Sequence, residues 1–176
     1  MGDFLTDVQT LRARAREHIE KGPVTDAYGA DLERVISVLN QALATEIVCT
    51  LRYRRHYYTA TGLDAKPVAA EFLQHANEEQ AHADLLAERI TQLNGAPDFN
   101  PATLVTRSHA EYDASTSLLD MVKEDLVAER IAIASYTEII HWLGDDDPTT
   151  KRVFESILGQ EEEHATDMLE FLQSMG

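Results

Sequence analysis

Four glutamates and two histidines sit where apolar residues are expected in the helical stripes of this chain: Glu46, Glu79, His82, Glu129, Glu161 and His164. In Glu79-x-x-His82 and Glu161-x-x-His164 a carboxylate and an imidazole are three residues apart, on one face of a helix, so each pair can grip one cation. Glu46 and Glu79 are 33 residues apart with their midpoint at Gly62-Leu63, and Glu129 and Glu161 are 32 apart with theirs at Asp145. A chain that folds back at both midpoints brings all four glutamates level, each about 24 Å from its turn at a rise of roughly 1.5 Å per residue. An unpaired buried carboxylate must be neutralised or compensated, and four together require cations. Two divalent ions balance four carboxylates, and two neutral imidazoles complete the set. Oxygen-rich ligation with one histidine per metal suits iron or manganese better than zinc or copper. Carboxylates that bridge as well as chelate hold two metals a few ångströms apart.

The elements that would position these groups are all helical. The first is expected from about Asp3 to Lys21, ending at the breaker pair Gly22-Pro23. The second is expected from about Asp31 to Ala60, with a stripe of Leu32, Val35, Leu39, Leu43, Thr50, Tyr53 and Tyr57. The third starts near Pro67 and runs to Asn94-Gly95, with Val68, Phe72, Ala76, Leu86 and Leu93 on its apolar side. Gly95 to about Ala114 has no sustained period and reads as a long connection. The fourth helix is expected from Ser115–Ser117 to Leu143, and the fifth from Asp147-Pro148 to about Ser174. No alternating run with hairpin-turn residues points to a strand. Two short-turn hairpins joined by one long crossover make an all-α four-helix bundle, here with an extra N-terminal helix. The expected division is an N-terminal extension over residues 1–30 and a bundle over 31–176.

Composition narrows the function classes. The 176 residues suit a single domain. The formal net charge of −16 disfavours nucleic acid binding, which needs a basic face. Arg12, Arg14, Arg16 and Lys21 share no single helical face and are diluted by Glu17 and Glu20. Cys49 is the only cysteine, so neither an intrachain disulfide nor a cysteine zinc site is possible. No secretory signal or membrane span is read, and the expected compartment is the cytoplasm. Gly2 to Thr6 matches a myristoylation pattern, which is short and read as chance.

At these residues the sequence resembles the ferritin-like superfamily, over about residues 31–174, and most resembles bacterioferritins and Dps-like mini-ferritins with a site inside each bundle. The resemblance implies a ferroxidase centre with Glu46, Glu79, His82, Glu129, Glu161 and His164 as ligands. Glu79 and Glu161 are then the candidate bridges. It also implies a role beside the metals for Tyr53, seven residues after Glu46, as a catalytic electron or hydrogen-bond donor. Asp125, one turn before Glu129, is a candidate to hold a ligand histidine from behind. Gln80 stands where bacterioferritins carry a haem-ligating methionine, so no haem is expected. Only about a dozen residues follow His164, too few for the short fifth helix of 24-subunit ferritins, which favours a 12-subunit cage.

The implied activity is oxidation of Fe(II) by O2 or H2O2 for iron storage, detoxification and protection from oxidative stress, with two iron ions per subunit and manganese as the other candidate. The rival is a non-storage di-metal redox enzyme of the manganese-catalase or rubrerythrin-like peroxidase kind. His75, one turn before Glu79, is a candidate for supporting the site. Glu162 and Glu163 are expected to face solvent or a neighbouring subunit, and Glu79, not Glu78, to pair with His82.

Overall fold

A computed structural model describes residues 6–62 and 65–175. Among these residues every regular element is helical: α1 (Val8–Arg14), α2 (Leu32–Thr59), α3 (Ala65–Gln92), α4 (Leu104–Arg107), α5 (Leu118–Leu143) and α6 (Pro148–Ser174), plus one 3-10 turn at Ile19–Lys21. Helices α2 and α3 form one antiparallel hairpin, α5 and α6 the other. Helix α2 also contacts α5, and α3 contacts α6, which closes the four-helix bundle. The architecture is the expected one.

Local chemistry sets the helix ends. Asp31 caps α2 by accepting from the Arg34 amide at 3.1 Å. Ser117 caps α5 through the Asp120 amide at 3.1 Å, and Asp147 caps α6 through the Thr150 amide at 2.9 Å. Helix α3 stops as Asn94 turns left-handed, with φ 61°, and the Gly95 amide reaches back to the Ile90 carbonyl at 2.9 Å. A Cβ at Gly95 would stand 2.9 Å from Cγ2 of both Ile36 and Ile90, so this approach of the connection to the bundle needs glycine.

The N-terminal segment departs from expectation. Its helix is only Val8–Arg14, buries no side chain, and leaves Val8 and Leu11 about half exposed. An isolated helix of this length has little stability without a packed face. The start of the expected helix, and most of the Gly2–Thr6 match, lie outside the described residues. Val24, Tyr28 and Ala30 nevertheless pack on the bundle. The Tyr28 hydroxyl donates to Asp147 at 2.8 Å. The Arg89 guanidinium donates to both oxygens of Asp147, at 3.0 and 3.2 Å, and to the Thr150 hydroxyl at 2.8 Å. This cluster joins the N-terminal segment, α3 and α6 at one end of the bundle.

The long connection between the hairpins contains α4 and is stitched along α2. Asn40 accepts from the Asp98 amide at 2.7 Å, and Arg107 donates to the Asn40 carbonyl at 3.0 Å. The Thr45 hydroxyl accepts from the His109 amide at 2.9 Å, Arg52 donates to the Glu111 carbonyl at 3.1 Å, and Arg55 donates to the Ala114 and Ser115 carbonyls. A connection this long stays ordered because side chains of α2 satisfy its backbone at successive levels.

Helix α2 is long and apolar enough, by length and composition, to cross a membrane. Much of that stretch is instead core, with 56% of it buried within the bundle. The core falls into two apolar zones. One holds Leu39, Leu43, Leu86, Ile90, Phe154 and Ile157; the other holds Val68, Phe72, Met121, Val122 and Met168. Along each of the four long helices, the predicted ligand residues lie between the two zones.

Candidate metal centre

Glu46, Glu79, His82, Glu129, Glu161 and His164 are all brought together at mid-bundle, and none is more than 3% exposed. They form two overlapping groups whose ligand atoms all lie within 4.8 Å of one another. One is Glu46, Glu79, His82 and Glu161; the other is Glu79, Glu129, Glu161 and His164. Glu79 and Glu161 belong to both groups.

Both imidazoles turn Nδ1 inward. His82 Nδ1 is 3.1 Å from Glu161 and 3.3 Å from Glu46. His164 Nδ1 is 3.4 Å from Glu79 and 3.5 Å from Glu161. Outward, His82 Nε2 meets Gln160 Oε1 at 2.8 Å, and His164 Nε2 meets Glu78 Oε2 at 2.8 Å. These outer partners orient the rings with Nδ1 inward.

Two tyrosines brace the outer carboxylates. The buried Tyr53 hydroxyl donates to Glu129, and the buried Tyr136 hydroxyl donates to Glu46. The pattern is reciprocal: Tyr53 stands seven residues after Glu46 and braces Glu129, while Tyr136 stands seven after Glu129 and braces Glu46. Sequence reasoning found Tyr53 and missed Tyr136, although the same seven-residue step gives it. Glu78, which the spacing does not pair with His82, holds His164 from outside. Glu162 and Glu163 are exposed, as expected.

Asp125 does not hold a ligand histidine. It accepts from Arg52 Nε at 2.8 Å and lies 2.9 Å from His56 Nδ1. Arg52, His56 and Asp125 are all buried beside Tyr53, with the Arg52 guanidinium 5.7 Å from the tyrosine ring centre. Arg52 escaped the sequence reading because its other partner, Glu111, comes from the irregular crossover. Cys49, one turn from Glu46, is buried within 3.8 Å of Arg52.

The electrostatics are those of an anion-rich pocket awaiting positive charge. Burial, reinforced by Glu161 and Glu79, pushes the Glu46 carboxyl well above its usual range. Burial with Glu79 and Glu161 does the same to Glu129. Burial also opposes ionisation of Glu79, but the nearby Glu46, His164 and His82 outweigh it and hold that carboxyl low. Burial lowers both histidines, yet the surrounding carboxylates win: His82 is driven far up, and His164 up to about 11. Without cations the centre therefore holds protons in their place. Even so, Glu79 Oε1 and both oxygens of Glu161 are buried with no hydrogen-bond partner. Orphaned acceptors converging on one point, among carboxylate and imidazole donors, fit a pair of divalent cations.

Residues 36–175 match the Ferritin family, described as a ferritin-like domain. A dodecameric thioferritin, the bacterioferritin-related protein of Bacteroides fragilis, superposes with a TM-score of 0.80 at 31% identity, over 84% of this chain and 89% of that one. The bacterioferritin of Desulfovibrio desulfuricans, whose structure is described by its diiron site, superposes with a TM-score of 0.72 at 26% identity, over 81% and 80%. The DNA protection during starvation protein of Pyrococcus furiosus is 31% identical over 77% of this chain and 75% of that one. The match over residues 36–175 and these likenesses agree with the bundle and with the resemblance read from the glutamate and histidine spacing: the chain belongs to the ferritin family, among bacterioferritin- and Dps-related proteins.

Proposed function

We propose that this chain is a ferroxidase that takes Fe(II) as substrate at the mid-bundle centre and releases Fe(III) for storage in a homo-oligomeric cage. The observation that carries the reading is the pair of overlapping ligand groups sharing Glu79 and Glu161. In this assignment Glu46 and His82 hold one iron, Glu129 and His164 the other, and Glu79 and Glu161 lie between them. Each Fe(II) gives up one electron. Two electrons and two protons convert O2 to H2O2, or H2O2 to two waters. Anionic oxygen ligands favour the ferric product. Tyr53 and Tyr136 fix the orientation of the outer carboxylates, and Tyr53, beside the Arg52–Asp125 pair, is the assigned catalytic donor.

The kinship with a dodecameric bacterioferritin-related protein supports a cage of about twelve chains. In this reading residues 1–30 are an extension fastened to a bundle of residues 31–176, and the protein works in the cytoplasm. Some relatives are named for DNA protection. The net charge of −16 opposes carrying that partner over to this chain.

The test is aerobic Fe(II) titration of the metal-free protein, followed at the ferric absorbance, with particle mass measured on the same sample. Fast oxidation of about two irons per chain, then continued uptake into the cage, is expected from the two-ion ligand set. Two irons without further uptake, in a small oligomer, would replace storage with the manganese-catalase or peroxidase reading. Unchanged oxidation in Glu79→Ala would overturn the assignment of the centre.

A further inference from the structure

The centre is the innermost rung of a ladder between α3 and α6. Glu79 and Glu161 share that rung. One turn away, the His75 and His164 rings stack with centroids 4.0 Å apart. One turn further, His75, Glu71 and Asp167 place ligand atoms within 4.8 Å of one another. His75 Nε2 lies 3.4 Å from a Glu71 oxygen and 3.4 Å from an Asp167 oxygen. The spacing follows from the sequence: Glu71, His75 and Glu79 step by four on α3, and Glu161, His164 and Asp167 step by three on antiparallel α6. Exposure rises along the ladder, from 1% at Glu79 and Glu161 to 26% for the side chain of Glu71 and 42% for that of Asp167. In the other direction the same helices present Leu86, Ile90, Phe154 and Ile157, all buried and apolar. Along α3 and α6 the polar path thus runs from the centre towards Glu71 and Asp167 and away from that apolar zone.

His75 is the group that packing alone leaves unexplained. It is completely buried, its Nδ1 has no hydrogen-bond partner, and its Nε2 faces two carboxylates near the surface. Glu78, whose carboxylate is 2.8 Å from His164 Nε2, lies with His75 and His164 in a further cluster of ligand atoms within 4.8 Å. We propose that Glu71, His75 and Asp167 bind a further divalent cation, as a staging site at the surface end of the path into the His164 half of the centre. Two carboxylates balance the charge of one divalent ion, and one imidazole with two oxygens leaves room for water, which suits a hard or borderline cation held for onward transfer. The role as a staging site rests on the function proposed for the centre, whereas the binding site itself does not.

The test uses Mn(II) as probe on the full-length protein, located by anomalous scattering in crystals and counted in solution by the loss of the free-ion paramagnetic signal. A third ion is expected, bounded by Glu71, His75 and Asp167. In the doubly substituted Glu71→Gln, Asp167→Asn protein that ion is lost while the two at the centre remain. Both substitutions are at partly exposed carboxylates, so an unchanged melting temperature confirms the fold. Ions at the centre alone in the unaltered protein, or a third ion untouched by the double substitution, would overturn the proposal. A cation at Glu71 and Asp167 with none at the centre would instead overturn the function proposed above.

Discussion

Two of the polar clusters buried in the bundle are of opposite character. At its end, Asp147 receives Arg89, Tyr28, the Thr150 hydroxyl and the Thr150 amide, so both carboxylate oxygens are satisfied and one negative charge meets one positive charge. At its middle, four carboxylates face two imidazoles, and several oxygens have no partner. The first cluster is complete as a protein structure. The second is complete only with something added. Complementary buried charge holds a fold together, whereas surplus buried charge of one sign stores a demand for ligand.

The contrast can be tested by removing one carboxylate from each. Asp147→Ala leaves Arg89 buried without its partner and strips the cap from α6, so a loss of about 4 kcal/mol in chemical denaturation is expected. Metal moves the other cluster in the opposite direction. Adding Mn(II) at about one hundred times its dissociation constant should stabilise the unaltered protein by roughly 2.7 kcal/mol, read as a raised melting temperature. Glu161→Gln should abolish that rise, because it takes away a carboxylate that belongs to both ligand groups. A rise that survives this substitution would mean that the added ion binds elsewhere than at the centre. Tyr28→Phe, which deletes one of five bonds to Asp147, is the smallest change, at about 1 kcal/mol.

Acidity separates the clusters as well. Burial raises the Asp147 carboxyl, but the Thr150 hydroxyl and amide, Tyr28 and Arg89 outweigh it and hold it below its ordinary 3.8. Its stability contribution is therefore present above that value and lost as the pH falls through the lower folded one. In the centre, Glu46, Glu129, His82 and His164 all bind protons more tightly folded than unfolded, and only Glu79 opposes them. The imidazolium contribution is full below the ordinary histidine value and is lost as the pH rises towards about 11 at His164. Metal-free protein should therefore lose stability on alkalinisation from about pH 6 to 9, where these groups exchange protons on unfolding. Metal should displace those protons, so its affinity should rise with pH. Melting curves across pH, with and without Mn(II), check both slopes.

The clusters also differ in how far they could be read from the sequence. Glu46, Glu79, His82, Glu129, Glu161 and His164 were legible because charges that interrupt apolar stripes at helical spacing have a register, and the hairpin midpoints fix their depth. Tyr136 was legible in principle through its step from Glu129. The Arg89–Asp147–Tyr28 and Arg52–Asp125–His56 networks were not, since each joins residues from different helices with no periodic relation. The Glu71–Asp167 contact depends on the pairing of α3 with α6, which no local spacing encodes. The N-terminal helix was overread because a breaker pair marks where a helix must stop, while nothing local states that it lacks a face to pack.

The stitched crossover has a consequence for the chain as two halves. Each hairpin carries one outer glutamate, one tyrosine, one inner glutamate and one histidine, and each tyrosine braces the carboxylate of the other hairpin. A chain opened within residues 99–102, between the Asp98 anchor and α4, would leave both hairpins whole, with α4 and the following crossover residues still able to bind α2. Recombining the fragments means bringing four carboxylates into one pocket, so reassembly of the split protein should depend on divalent cation. The same repulsion that primes the site for metal would make the two pieces a cation-gated complementation pair.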